Sequence, residues 1–265
     1  MTRSLLFLAL FAGAALSARS ADFAGEVFDA TFKFSNRDST ATCFLIRREA
    51  PDAAVYLVTA QHVLEDAKGE NFTLVLRERQ ADGSYERRDL KLDIRRGATP
   101  LWVRHETQDI AALRITEALP GSPAALPESA LADETSLADA GARLCGPLYL
   151  LAFPARLEGN KAGIPIARQG IFATPPVAPL KDNPTFLADL TTFAGDSGGP
   201  VFIAGRDEHP LIVGLMVARN QQDVRSQSDY EERVFRFPLG LGTVVRSQFI
   251  RETVEAAAKA SEATP

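Results

Sequence analysis

The sequence predicts an all-β protein made of two six-stranded antiparallel β-barrels in series, followed by a C-terminal α-helix. Three observations carry this. Short runs of β-branched, aromatic and aliphatic residues alternate with turn clusters from Val27 to Ile115, and a second such series extends from Arg143 to Val245. Between them, Thr116 to Gly141 is rich in Ala, Pro and Ser and shows no strand pattern. Helical periodicity is confined to the end of the chain.

Taken in order, the first element is a leader. Residues 1–20 carry an Arg, an apolar run from Leu5 to Leu16, and small residues at Ser17, Ala18 and Ser20, the pattern of a secretory signal peptide. The apolar run is too short to cross a bilayer, which needs roughly 20 residues. Cleavage is expected before Ala21, or alternatively after Ser17, sending the protein to the periplasm or the medium with no membrane attachment. The first barrel is expected over 21–115, from the runs VFDATFKF, ATCFLIRR, AVYLVTA, FTLVLRER, DLKLDIRR and DIAALRI. Residues 116–141 read as a linker. The second barrel is expected over 142–245, from RLCGPLYLLAF, IARQGIFAT, TFLADLTTF, PVFIA, PLIVGLMVA and ERVFRFPLGLGTVV. In 246–265, Phe249, Ile250, Val254 and Ala257 recur at helical spacing, so a helix packing on the second barrel is expected there, with a short tail.

Composition narrows the function. With 46% apolar and 24% charged residues the chain can bury a core, and disorder is excluded. Loss of Arg3 and Arg19 with the leader takes the formal charge from -5 to -7, a poor match for nucleic acid or anionic lipid. Cys43 and Cys145 permit one disulfide without requiring it, and His62, His105 and His209 belong to no metal-binding pattern, so neither a metal nor another cofactor is expected.

The chemistry is concentrated in FAGDSGGPVF, Phe193 to Phe202. Glycines around Ser197 allow a tight turn that presents its hydroxyl and can aim the Gly195 and Ser197 N–H groups at one point, an arrangement that holds a developing oxyanion. A serine hydroxyl is a weak nucleophile without a base. His62, in YLVTAQHVLED, follows an apolar strand and opens a short helical turn, where it can serve as that base. Asp109, in TQDIAALRI, stands at the start of a buried strand; pairing with His62 would satisfy its carboxylate.

The segments TAQHV, DIAAL and GDSGGPV, in this order, resemble the trypsin and chymotrypsin superfamily over roughly Thr40 to Val245. The resemblance implies a triad of His62, Asp109 and Ser197, an oxyanion hole from the Gly195 and Ser197 amides, a cleft between the barrels and a polypeptide substrate. It also implies that Thr191, six residues before the nucleophile, lines the primary pocket, with Val217, Ala218 and Arg219 beside the substrate. An uncharged Thr191 argues against a strict preference for Lys or Arg. Arg219 either meets an acidic side chain or points to solvent; His209 and His105 are expected at the surface, His105 alternatively at a strand cap. The digestive enzymes pair the acid before the serine, here Asp196, with an N-terminus of the Ile-Val-Gly-Gly type. No such segment precedes His62, so Asp196 needs another partner, a backbone amide, Arg or Lys. In this the chain is similar to bacterial members such as glutamyl endopeptidases and the HtrA protease domain, without a PDZ-like domain after it.

Two functional readings follow: an active endopeptidase, and a trypsin-like binding or regulatory protein held silent. A lipase of the α/β-hydrolase type is disfavoured, because that class orders its triad Ser, Asp, His. Oligomeric state is left open.

Overall fold

The computed structural model describes residues 22–49, 53–227 and 231–262; the expected leader lies outside them. The described chain opens with a helix, α1 (Phe23–Ala30), where a strand was expected to start at Val27. Asp22 explains the difference: its carboxylate accepts the Gly25 N–H at 2.8 Å, capping a turn whose spacing turns Val27 and Ala30 inward.

Ten strands follow before the second half. They are β1 (Thr31–Ser35), β2 (Thr40–Arg47), β3 (Val55–Thr59), β4 (Asn71–Arg79), β5 (Tyr85–Asp93), the small ribbon β6 (Arg95–Arg96) and β7 (Thr99–Pro100), then β8 (Val103–Arg104), β9 (Ala111–Arg114) and β10 (Leu126–Pro127). A short helix, α2 (Gln61–Glu65), follows β3. Strands β5, β4, β1, β2, β3, β9 and β8 pair in that order, and β10 lies parallel to β2 as the eighth strand of the sheet. The strands expected to form the first six-stranded barrel thus pair as an eight-stranded sheet whose closure is not seen among the described residues, with β5 and β8 at its outer edges. The sequence of β5, YERRDLKLD, suits an edge, because closely spaced charges disfavour a further strand.

The expected linker is also more than a connection. Besides β10 it contains α3 (Glu134–Asp139), closed by a capping box between Asp133 and Ser136, and Leu131 bridges to Ile212 of the second half. Leu126, Leu131 and Ala132 are buried. Two-residue pairings are too short to show as alternation in sequence.

The second half is a closed barrel in the order β11 (Pro147–Ala152), β12 (Ile166–Phe172), β13 (Thr185–Asp189), β16 (Glu232–Arg246), β15 (Pro210–Gln227) and β14 (Pro200–Ala204). Phe172, Phe186, Leu150 and Val244 are among the side chains filling it. Strands β15 and β16 run well past the barrel and continue as a two-stranded arm, paired from Gln221↔Pro238 to Gln227↔Glu232. The expected strand stopped near Ala218, because the polar stretch after it carries no one-sided pattern.

The final helix, α4 (Ser247–Glu262), buries Phe249, Ile250, Val254 and Ala257, as the spacing predicted. It does not pack on the second barrel alone: it crosses to β9 and β8 of the first half as well as to β15. These side chains share one apolar cluster with Val58, Ile110 and Ala112. Each fully buried side chain of this size contributes about 1.5–3 kcal/mol, so α4 fastens the two halves together. No helix among the described residues is long and apolar enough to cross a membrane.

Candidate active site

His62 and Asp109 are brought together by the end of β3 and the start of β9, which are adjacent strands. Ala60, at the head of α2, has no side chain able to cap the helix. Asp109 does that work from across the sheet: its Oδ1 accepts the His62 N–H at 2.9 Å while its Oδ2 lies 2.6 Å from His62 Nδ1. One carboxylate thereby fixes both the backbone and the ring of the histidine. The hydrogen bond to Asp109 raises the His62 pKa above its ordinary 6.5, ahead of the opposing effect of burial. Burial pushes the Asp109 carboxyl up, but the hydrogen bond and charge of His62 and the backbone N–H outweigh it, and the net direction is down. The other ring nitrogen, Nε2, is 3.1 Å from Ser197 Oγ.

Ser197 sits on the turn leading into β14, and the turn is clamped from the first half. Thr42 on β2 uses every polar atom for this: its N–H donates to the Ser197 carbonyl at 2.9 Å, its hydroxyl donates to the Gly195 carbonyl at 2.7 Å and accepts the Phe153 N–H at 3.1 Å, and its carbonyl accepts the Thr59 hydroxyl at 2.8 Å. The approach is so close that only glycine fits. At Gly198, with φ +87, a Cβ would lie 2.0 Å from the Thr42 carbonyl oxygen; at Gly195, with φ +100, it would lie 2.2 Å from that of Phe153. The Ala155 N–H donates to the Ala194 carbonyl at 2.7 Å, and in a trans peptide this turns the Gly195 N–H to the opposite side. Neither the Gly195 nor the Ser197 N–H has a protein acceptor among the described residues.

The partner of Asp196 is Arg168 on β12. The Asp196 side chain is 1% exposed, and its Oδ1 lies 2.5 Å from Arg168 Nη2, while its Oδ2 accepts the Phe193 N–H at 2.7 Å. The Oδ1 contact is close but falls outside hydrogen-bond alignment. Arg168 Nη1 also donates to the Thr191 carbonyl at 2.6 Å, and the guanidinium lies 5.8 Å from the centre of the Phe193 ring. Burial nevertheless wins: it raises the Asp196 pKa above 3.8 against the lowering effects of Arg168 and the Phe193 N–H. Arg168 thus supplies, from inside the barrel, the positive charge that the sequence left unassigned.

A cavity of about 340 Å³ opens beside Ser197, lined by Thr192, Phe193, Ala194, Asp196, Met216, Val217, Ala218, Arg219 and Gln221. Val217, Ala218 and Arg219 line it; Thr191 does not, being exposed, with its carbonyl engaged by Arg168. Strand β13 ends at Asp189, and the turn after it puts Thr192, one residue later, inward, with a buried hydroxyl that has no partner among the described residues. Arg219 is exposed and has no ion-pair partner among them. Cys43 is buried and Cys145 exposed, and both are free, so the permitted disulfide is not formed. His209 is at the surface, its Nδ1 3.2 Å from Glu26 Oε1. His105 is neither exposed nor idle: its Nδ1 accepts the Thr107 and Gln108 N–H groups, and its Nε2 lies 3.0 Å from Glu252 Oε2 on α4. Thr42, Thr59 and Arg168 were not singled out from sequence.

A closed β-barrel beside an antiparallel β-sheet, with histidine and acid on one and a glycine-flanked serine on the other, defines the two-part β peptidases as a class. The model described as trypsin-like peptidase domain matches residues 41–208, and the chain belongs to that family. Among solved structures it is similar to the inactive form of Rv3671c from M. tuberculosis H37Rv, at 15% identity and TM-score 0.48, with 93% of each chain covered. It is also similar to the thermostable serine protease AL20 from an extremophilic microorganism, at 12% identity and TM-score 0.47, covering 86% of this chain and 96% of that one. No curated protein matches the sequence.

Proposed function

We propose that the protein is a serine endopeptidase that cleaves peptide bonds through an acyl-enzyme on Ser197. The observation that carries this is the continuous path Asp109 Oδ2, His62 Nδ1, His62 Nε2, Ser197 Oγ, with contacts of 2.6 and 3.1 Å. His62 Nε2 takes the Ser197 proton as Oγ bonds to the substrate carbonyl carbon, and the carbonyl π pair moves to oxygen. The Gly195 and Ser197 N–H groups receive that oxyanion, each donor contributing about 3 kcal/mol. The tetrahedral centre then collapses: His62 returns the proton to the leaving amine and the C–N bond breaks. Water attacks the ester in turn, with His62 again as base. Asp109 keeps the imidazole in the required tautomer and stabilises its charged form.

The cavity is lined by the uncharged Thr192, and its acid, Asp196, is committed to Arg168, which supports a primary side chain that is not a cation. We also propose that the chain is exported and loses residues 1–20, on the character of that segment; the N-terminal sequence of the secreted protein tests this. The activity is tested by fluorophosphonate labelling and peptide-library digestion beside Ser197→Ala. Labelling and cleavage that vanish in the variant are expected. Absence of both in folded wild type would turn the reading toward a silent binding protein.

A further inference from the structure

The arm formed by the outer parts of β15 and β16 lies outside the segment that the family model matches and has no role in the chemistry above. Its two faces differ. On one, Asp223 stands opposite Arg236, 3.7 Å away, and Arg225, opposite the exposed Val234, reaches Glu232 at 3.5 Å, so the charges neutralise one another around a single apolar side chain. On the other, Phe235 and Phe237 stand two residues apart on β16 with ring centres 6.5 Å apart, and Val224 on β15 lies directly opposite Phe235. Leu239 follows two residues further. These four side chains are 41–53% exposed, an apolar row unusual for a ribbon that could have been polar on both sides.

The edge of the arm is as informative as its face. Strand β15 is flanked by β14 as far as Leu215, and Met216 exchanges backbone hydrogen bonds with Gly198 and Gly199; beyond that it pairs with β16 alone among the described residues. Its other edge is therefore open, and every second residue there presents an N–H and a C=O outward. This open edge begins at the residues that line the cavity beside Ser197 and, past two register shifts, between Met216 and Ala218 and between Arg219 and Gln221, continues to Gln227.

We propose that the arm is a docking track for the part of a polypeptide substrate that precedes the cleaved bond, an extended segment with apolar residues at alternate positions. The inference rests on the peptidase reading. A strand added antiparallel to β15 runs toward Ser197, so it is the N-terminal side of the substrate that lies along the arm. Residues 220–227 offer a track of about 26 Å at roughly 3.3 Å per residue. Side chains on the apolar face of the added strand would pass over Gln222 and Val224 and meet the row of Phe235 and Phe237. The self-neutralised opposite face explains why only alternate positions are selected.

The test compares two peptides cleaved at the same bond, one short and one extended upstream with Phe, Leu or Val at alternate positions along the arm. A third, extended with Ser instead, controls for length. For the intact chain, kcat/KM for the apolar extended peptide is expected to exceed that of the short one by on the order of tenfold or more, mainly through KM. The double variant Phe235→Ser/Phe237→Ser should bring the ratio near one, and Asp223→Ser/Arg236→Ser, on the charged face, should keep it. A ratio of one in the wild type, or one unaffected by loss of the two phenylalanines, overturns the track. So does gel filtration showing that the two phenylalanines instead join a second copy of the chain. Fluorophosphonate labelling separates the claims: labelling without a length effect refutes the arm alone, and no labelling refutes the peptidase.

Discussion

Replacing Arg168 by Met removes the charge facing Asp196 and leaves an unbranched side chain in its place on β12. The Asp196 carboxylate would then be left 1% exposed with one backbone N–H for company. Removing one member of a buried ion pair costs about 3–5 kcal/mol, because the other is stranded. The carboxylate can escape by taking a proton, and the direction is set: its pKa already stands above 3.8, and losing Arg168 raises it further. A folded state that holds the proton more tightly than the unfolded one is stabilised below the unfolded pKa and loses that advantage as pH rises through the folded pKa. The deficit relative to wild type should therefore be full at neutral pH and shrink as pH falls toward 4. If Asp196 instead swings out to water, the turn carrying Gly195 and Ser197 moves with it and the oxyanion donors disperse, a loss of about 10²–10³ in kcat for each. Urea unfolding and fluorophosphonate labelling at several pH values read both effects. Arg168→Lys keeps a charge while losing the fork to Thr191 and should fall between. A Met variant within about 1 kcal/mol of wild type at pH 7 and labelled at the same rate would refute the assignment of Arg168 as the partner of Asp196.

Asp109→Asn should lower kcat by about 10⁴-fold with KM little changed, measured by steady-state kinetics on the best library peptide. Because the hydrogen bond to Asp109 is what raises the His62 pKa, the acid limb of the pH profile should lie above 6.5 in wild type and move to lower pH in this variant. Thr42→Val leaves the buried Phe153 N–H and Gly195 carbonyl without their partner, at about 1–3 kcal/mol for each orphaned group; urea unfolding midpoints check this, and a change under about 0.5 kcal/mol would contradict it. Gly198→Ala forces a side chain into positive φ, costing about 1–3 kcal/mol before its collision with the Thr42 carbonyl; thermal unfolding should show the loss together with abolished labelling.

What the sequence made legible was chemistry that is local along the chain. Ser197 sits among its glycines, His62 follows an apolar strand, and Asp109 precedes one, so each could be recognised from a few neighbours. Arg168 and Thr42 act on residues far away in sequence, Thr42 on a carbonyl 153 positions later, and an Arg or Thr in a strand carries no mark of such a duty. The difference between Thr191 and Thr192 is a matter of which way a turn faces, which counting from the serine does not specify. In the fold, alternation marked the main strands, while α1 was hidden because its decisive residue, Asp22, is a cap rather than part of a pattern. The arm was hidden for the opposite reason: a ribbon exposed on both sides has little need of alternation over β15.

On the proposed peptidase activity, the clamp of Thr42 on the turn carrying Ser197 has a bearing on when the protein could cut itself. The Gly195 and Ser197 peptides are held by a strand of the other half of the chain, so their native setting requires both halves to be docked. A nascent or half-unfolded chain has the serine but not its surroundings. Contacts between segments so far apart in sequence are slow to form, because the intervening loop must close before they reward it. Competence of the proposed site is thereby tied to a docked fold, and partly folded chains, which expose the most cleavable backbone, lack the arrangement needed to cut it.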